Sequence, residues 1–276
     1  MNEAINLEKI TLRVVEIAKN VSIYLENEIG LLKNESIEIK GLHNFVTYVD
    51  KTSEQQIMTG LKEILPDAGF IAEETGEIDK GGRYNWVIDP LDGTTNYIHG
   101  IPLYSISIAL LDGNEVVSGV VFEVSRKECF YAWKGGPALL NGKIINVSAA
   151  SKLSDCLMAT GFPYYDYSKI EPYLEVFQYM MKNSHGLRRL GSAAVDLAYV
   201  ACGRFGGFYE YGLNSWDVAA GLLIVKQAGG EVSDFKGGDH YLFGREIIAT
   251  NKLIHTEFLG VVANFFRDFY SKTDQR

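Results

Sequence analysis

Residues 86–97 read W-V-I-D-P-L-D-G-T-T-N-Y and place two aspartates, Asp89 and Asp92, around a Pro-Leu pair. An apolar run that ends in Asp-Pro-x-Asp-Gly-Thr holds two hard oxygen ligands on a stiff turn. Carboxylates of this kind suit Mg²⁺. Gly93, Thr94 and Thr95 follow at what the pattern predicts to be a helix start, where backbone N–H groups suit a phosphate. Together the two features read as a metal-assisted phosphate site. Alone, Asp-Pro and Asp-Gly are ordinary turn dipeptides, and such a fragment is more often a surface turn.

Three further segments shift that balance. Phe70-Ile71-Ala72 predicts a short buried strand, with Glu73 and Glu74 at its C-terminal end. Beside Asp89, Glu73 would add a third oxygen ligand, although acidic strings of this type are commonly solvated loops. Asn214-Ser215-Trp216-Asp217 precedes a helical apolar pattern. Here Ser215 reads as an N-cap, and the helix dipole by itself favours Asp217 in the first turn. Val46-Thr47-Tyr48-Val49 is a β-type run ending in Asp50, before a helix over about residues 51–65. Asp50 could equally be that helix's N-cap. Each fragment has an ordinary explanation, but the four in this order do not.

With these segments in view, the chain resembles the inositol monophosphatase family, of the Mg²⁺-dependent, lithium-sensitive phosphatase superfamily. The resemblance runs through V-T-Y-V-D, A-E-E-T-G, W-V-I-D-P-L-D-G-T-T-N-Y and W-D-V-A-A-G-L-L-I-V-K-Q-A-G-G. L-R-R-L-G-S-A-A-V-D-L-A-Y-V-A-C-G-R, residues 187–204, is similar to the bacterial branch, and nearly the whole chain is covered.

The resemblance implies roles by position. Glu73, Asp89 and the Leu91 carbonyl match the ligands of a first metal. Asp89, Asp92 and Asp217 match those of a second, with Asp89 bridging. Glu73 also matches the group that reaches a loosely held third metal through water, so two to three Mg²⁺ per site are implied. Asp50 and Thr94 match the pair that orients the attacking water, and Gly93, Thr94 and Thr95 the phosphate cradle. Gly191, Ser192, Ala193, Glu210 and Asp217 match the substrate side, where Glu210 would accept a hydrogen bond from a sugar or inositol hydroxyl. The implied chemistry is hydrolysis of a phosphate monoester by a metal-activated water, without a phosphoenzyme. Glu73, Asp50 and Thr94 would position that water and help deprotonate it.

Charge agrees with a role for metal. Thirty-five acidic against 26 basic residues give a net charge of −9, which by itself repels a phosphate dianion. Bound divalent ions reverse the sign locally. A pI near 5.1 argues against a nucleic-acid surface. Met1 to Lys9 is polar and the apolar run Ile101 to Leu111 is too short to span a bilayer, so a cytoplasmic enzyme without membrane contact is expected. Cys129, Cys156 and Cys202 are widely spaced and read as reduced, buried thiols. None of the five histidines is assigned to metal.

These residues need positioning elements. Ile10, Val14, Ile17, Ala18, Val21 and Leu25 mark one face of a long N-terminal helix. Strands are expected over Ser105 to Leu111, Glu115 to Glu123 and Glu128 to Trp133, the first two joined at Asp112-Gly113-Asn114. After about residue 150 strand and helix alternate: a strand at Cys156 to Thr160, helices near 169–183 and over Ser192 to Cys202, a strand at Gly206 to Tyr211, a helix after Asp217, and a strand at Glu246 to Thr250 before a last helix. The class is mixed α/β. The resemblance sharpens it to a layered α-β-α-β-α sandwich with two sheets, of the inositol monophosphatase and fructose-bisphosphatase type. It also implies a single catalytic unit over 1–276, with most metal ligands in 1–147 and Asp217 and the substrate wall in 148–276. A homodimer is implied by the family alone.

Inositol 1-phosphate is the expected substrate. Fructose 1,6-bisphosphatase and adenosine 3′,5′-bisphosphate 3′-phosphatase activities are the alternatives within the superfamily. Glu210 favours a polyol over a second phosphate, whereas Arg188, Arg189 and Lys40 would favour the opposite if they faced the site. The segment Lys40 to Asn44 departs most from the animal-type pattern and is expected at the lip over the third metal. A reading of another class is a non-catalytic binding or regulatory protein on the same fold.

Overall fold

The computed structural model describes residues 5–29, 37–41, 44–78 and 82–273. Five layers stack in the order helices, sheet, helices, sheet, helices. The first holds α1 (Leu7–Glu28) and α2 (Tyr48–Ile64), which follows a small hairpin of β1 (Ile37–Gly41) and β2 (Asn44–Thr47). The expected apolar stripe of α1 faces inward: Ile10, Val14, Ala18, Val21 and Leu25 are buried against the first sheet.

That sheet contains β3 (Gly69–Ala72), β4 (Gly76–Ile78), β5 (Tyr84–Asp92), β6 (Ser105–Asp112), β7 (Glu115–Glu123), β8 (Glu128–Trp133), β9 (Leu139–Leu140) and β10 (Lys143–Ile144). Its order is β10-β9-β8-β7-β6-β5-β3-β4, antiparallel except for the parallel β3–β5 pair. Alternation divides its side chains between two cores. Trp86, Ile88, Ile106, Ile108 and Leu110 face α1 and α2, while Val87, Ala109 and Leu111 face the middle helices.

A short helix α3 (Thr94–Ile98) follows β5. The central layer is α5 (Ala193–Ala201) and α6 (Ser215–Gln227), mostly apolar because both are covered by sheet on two sides. Gly119 on β7 lets α6 approach closely, since a Cβ there would lie 2.7 Å from the Ala220 carbonyl oxygen. The second sheet has order β12-β11-β13-β15-β14, from β11 (Leu157–Thr160), β12 (Gly186–Arg188), β13 (Gly207–Tyr211), β14 (Glu231–Ser233) and β15 (Glu246–Thr250). Its outer face is closed by α4 (Ile170–Asn183) and α7 (His255–Thr273) through Tyr173, Val176, Met180, Phe258, Val262 and Phe266.

Two boundaries differ from the sequence reading. The helix carrying Asp50 starts at Tyr48, with Thr47 as N-cap, because Thr47 and Asp50 form a capping box that overrides the β-type pattern of Val46 to Val49. In α6 the N-cap is Asn214, and Ser215 is already helical. The short strands β4, β9, β10, β12 and β14 were not anticipated; each has two or three residues, too few to show a period. Among the described residues, no helix is long and apolar enough to cross a membrane.

Candidate metal centre and substrate cavity

Asp89 and Asp92 are three residues apart, which in a regular strand would send them to opposite faces. β5 escapes this at Pro90. Asp89 pairs with Ser107 and Asp92 with Ser105, so β5 carries one more residue than β6 between those pairs. This is a bulge, the setting in which proline is tolerated within a sheet. Asp89, Asp92 and Asp217 offer carboxylate oxygens within 4.8 Å of one another. Asp217 arrives at N3 of α6, where Oδ2 accepts the Asn214 N–H at 2.6 Å.

The supporting bonds hold each carboxylate. Oδ1 of Asp89 accepts the Leu91 N–H at 3.0 Å. Oδ2 of Asp92 accepts the Ser192 hydroxyl at 2.6 Å and the Ala194 N–H at 2.8 Å, both at the start of α5. Asp50 binds back to Thr47 through its N–H and hydroxyl at 2.8 and 2.6 Å. Its other oxygen lies 3.0 Å from Oγ1 of Thr94, which is 2.9 Å from the Leu91 carbonyl. Glu73 follows β3 directly, and its N–H donates to the Ile88 carbonyl at 3.2 Å, one residue before Asp89.

A cavity of about 510 Å³ opens over this cluster, lined from both sheets and the middle helices. Glu73, Asp89, Asp92, Thr94 and Asp217 line it together with Glu210 and Arg189. Gly93 and Gly191 meet here with φ of +95° and +97°, the left-handed region where glycine is favoured. A Cβ on Gly93 would sit 3.2 Å from the Gly191 carbonyl oxygen, so the turn after β5 and the start of α5 touch through bare backbone. Asn96 ties the same two segments, donating to the carbonyls of Leu103 at 2.8 Å and Leu190 at 2.9 Å.

The electrostatics are those of a site built around positive charge. Burial first, and then the charge of Asp217, holds the Glu73 carboxyl well above its ordinary range. Asp89 is held high by burial and then by Glu73. Burial raises Asp92 to about 6 against the opposing Ser192 and Ala194 hydrogen bonds, and burial with Asp92 raises Asp217 to about 7. Asp50 rises to about 6, again chiefly by burial. A donor set made only of hard oxygens, each destabilised as an anion by burial, fits a hard divalent cation and not a soft metal.

All the anticipated residues except Asp50 line this cavity, and Asp50 reaches it through Thr94. Of the three basic residues in question, Arg189 faces the cavity, stacked 5.3 Å from the Phe162 ring centroid and 5.5 Å from that of Tyr164. Arg188 is exposed at the end of β12. The Lys40 side chain, Leu42 and His43 lie outside the described residues. Asp196 was missed. It is buried on α5 and lines the cavity, with its carboxyl raised by burial and by Glu210. A lone charge inside A-A-V-D-L-A-Y-V-A was the available signal, because an unpaired carboxylate is rarely buried without a role.

A family profile described as the inositol monophosphatase family matches residues 6–265. An inositol-1-monophosphatase from Mesorhizobium japonicum is 38% identical, over 90% of this chain and 94% of its own. The protein named Nus factor SuhB from Escherichia coli is 43% identical, over 77% and 80%. The solved structure of inositol monophosphatase from Anabaena superposes with a TM-score of 0.84 at 33% identity, covering 94% of this chain and 97% of that one.

Proposed function

This chain belongs to the inositol monophosphatase family, and on that premise we propose that it is a Mg²⁺-dependent phosphate monoester hydrolase acting on inositol 1-phosphate or a closely similar polyol phosphate. The observation that carries the reading is the convergence of Asp89, Asp92 and Asp217, their oxygens within 4.8 Å, in a cavity that also holds Glu210.

Glu73, Asp89, the Leu91 carbonyl, Asp92 and Asp217 would hold the ions, two to three per site. Bound Mg²⁺ would supply Lewis-acid stabilisation of charge on the phosphoryl and leaving oxygens. The protein's own groups do the rest. Thr94, hydrogen-bonded to Asp50, would with Asp50 and Glu73 position the attacking water and help deprotonate it. Gly93, Thr94 and Thr95 at the start of α3 face the phosphate. Gly191, Ser192, Ala193 and Glu210 form the wall for the leaving group. Glu210 accepts hydroxyl donors and repels a second phosphate, which favours a polyol over fructose 1,6-bisphosphate or adenosine 3′,5′-bisphosphate. Both halves, 1–147 and 148–276, supply groups to one catalytic unit, read as a cytoplasmic homodimer without membrane or nucleic-acid contact.

The test is release of inorganic phosphate from D- and L-inositol 1-phosphate, fructose 1,6-bisphosphate and adenosine 3′,5′-bisphosphate, with and without Mg²⁺. The expected order puts an inositol phosphate first in kcat/KM. No turnover of any ester by protein that binds Mg²⁺ would instead favour a binding or regulatory role. That second reading is motivated by the 43%-identical relative named a Nus factor.

A further inference from the structure

Helix α2 carries a second carboxylate one turn after Asp50. Glu54 is 1% exposed and stands at i+4, so both project from the same side of the helix. Its two oxygens are each taken by a backbone donor. Oε2 accepts the Glu74 N–H at 2.9 Å, and Oε1 accepts the Thr75 N–H at 3.0 Å. These donors belong to the turn between β3 and β4, whose first residue is Glu73. The other side of that turn is anchored to β5 by the Glu73 N–H.

We infer that Glu54 is a positioning residue for metal binding: it clamps the Glu73–Thr75 turn so that the Glu73 carboxylate is held ready at the metal centre. Within one helix face, Asp50 fixes the turn after β5 through Thr94, and Glu54 fixes the turn after β3 through Glu74 and Thr75. The two parallel strands β3 and β5 thus have their C-terminal turns set by one rigid element. A buried carboxylate is costly unless hydrogen-bonded, and two charge-assisted bonds to backbone N–H groups meet that need here. Supporting contacts of this kind govern ligand orientation and metal affinity.

The inference rests on Glu73 being a metal ligand, and the experiment separates the two claims. Mn²⁺ binding is measured by calorimetry on wild type, Glu54→Gln and Glu73→Gln, with amide hydrogen exchange read at Glu74 and Thr75. Glutamine keeps the shape of Glu54 but turns an NH₂ toward one of the two N–H donors. Glu54→Gln should weaken Mn²⁺ binding by about 10-fold or more and speed exchange at Glu74 and Thr75. The conservative Glu54→Asp, which retains the charge but not the reach, should bind Mn²⁺ as weakly as Glu54→Gln. Wild-type Mn²⁺ affinity in Glu54→Gln, with Glu73→Gln weakened, overturns the role of Glu54 alone. Wild-type affinity in Glu73→Gln overturns the reading of Glu73 on which it stands.

Discussion

Ser192 and Asp92 lie 100 residues apart in the chain, and the Ser192 hydroxyl donates to Oδ2 of Asp92 at 2.6 Å. One oxygen of a carboxylate in the acidic cluster is therefore held by the N-cap residue of α5, which also accepts the Val195 N–H at 3.3 Å. The bond joins the end of β5 to a helix that lines the cavity.

Ser192→Ala removes that donor and the cap together. Asp92, already raised to about 6 by burial against this bond, should rise further and hold a cation less well. The Mg²⁺ concentration for half-maximal activity should increase by roughly 10- to 100-fold. Loss of the cap should cost about 1 kcal/mol in urea unfolding. An unchanged Mg²⁺ requirement would mean that Ser192 serves only the helix.

Stability of the metal-free protein should fall as pH rises from about 4 to about 7. In the folded state Asp92 titrates at about 6 and Asp217 at about 7, against an ordinary value of 3.8. Between those limits the folded chain binds more protons than the unfolded one, so raising the pH favours unfolding. On the proposed reading Mg²⁺ would bind the deprotonated, folded form, so its thermal upshift should be small at pH 5 and grow toward pH 8. Thermal melts with EDTA and with Mg²⁺ across that range provide the check; a Mg²⁺ shift independent of pH would contradict the account.

On the proposed reading Glu210 discriminates between substrates. Its carboxyl is buried beside Gly161, where a Cβ would come within 1.9 Å of Oε2. Glu210→Gln should lower kcat/KM for inositol 1-phosphate by roughly 10- to 100-fold, the value of one charged hydrogen bond. The loss should be smaller for a monoester whose leaving group lacks hydroxyls. Equal losses on both would place Glu210 outside substrate contact.

The core offers a prediction independent of chemistry. Gly119→Ala should destabilise the protein by about 1–3 kcal/mol, because its Cβ meets the Ala220 backbone rather than a movable side chain. Urea unfolding should show this, while activity per folded molecule stays near wild type.

The carboxylate cluster was legible where its signal is local. D-P-x-D-G-T carries its own bulge, so Asp89 and Asp92 were identifiable from spacing and composition. Asp217 was visible as a first-turn carboxylate, but its meeting with the end of β5 is a tertiary fact that the family resemblance supplied. The strands β6, β7 and β8 showed clear patterns because each is long enough to span several periods. Asp50 was set at the end of a strand because Val46 to Val49 looks like one; the capping box with Thr47 decided otherwise. Glu54 and Asp196 were passed over for opposite reasons. Glu54 looks like any surface glutamate on an amphipathic helix until its two backbone partners are seen, whereas Asp196 is hidden by the apolar helix around it.

The most direct measurement is phosphate release from inositol 1-phosphate by wild type and Asp217→Asn, each titrated with Mg²⁺ from a metal-free start. The account predicts no release from wild type without Mg²⁺ and saturable release with it. Asp217→Asn should stay folded but fall by more than about 100-fold, beyond what loss of a merely supporting contact costs. Full activity of Asp217→Asn, or wild-type release undiminished by EDTA, would contradict it.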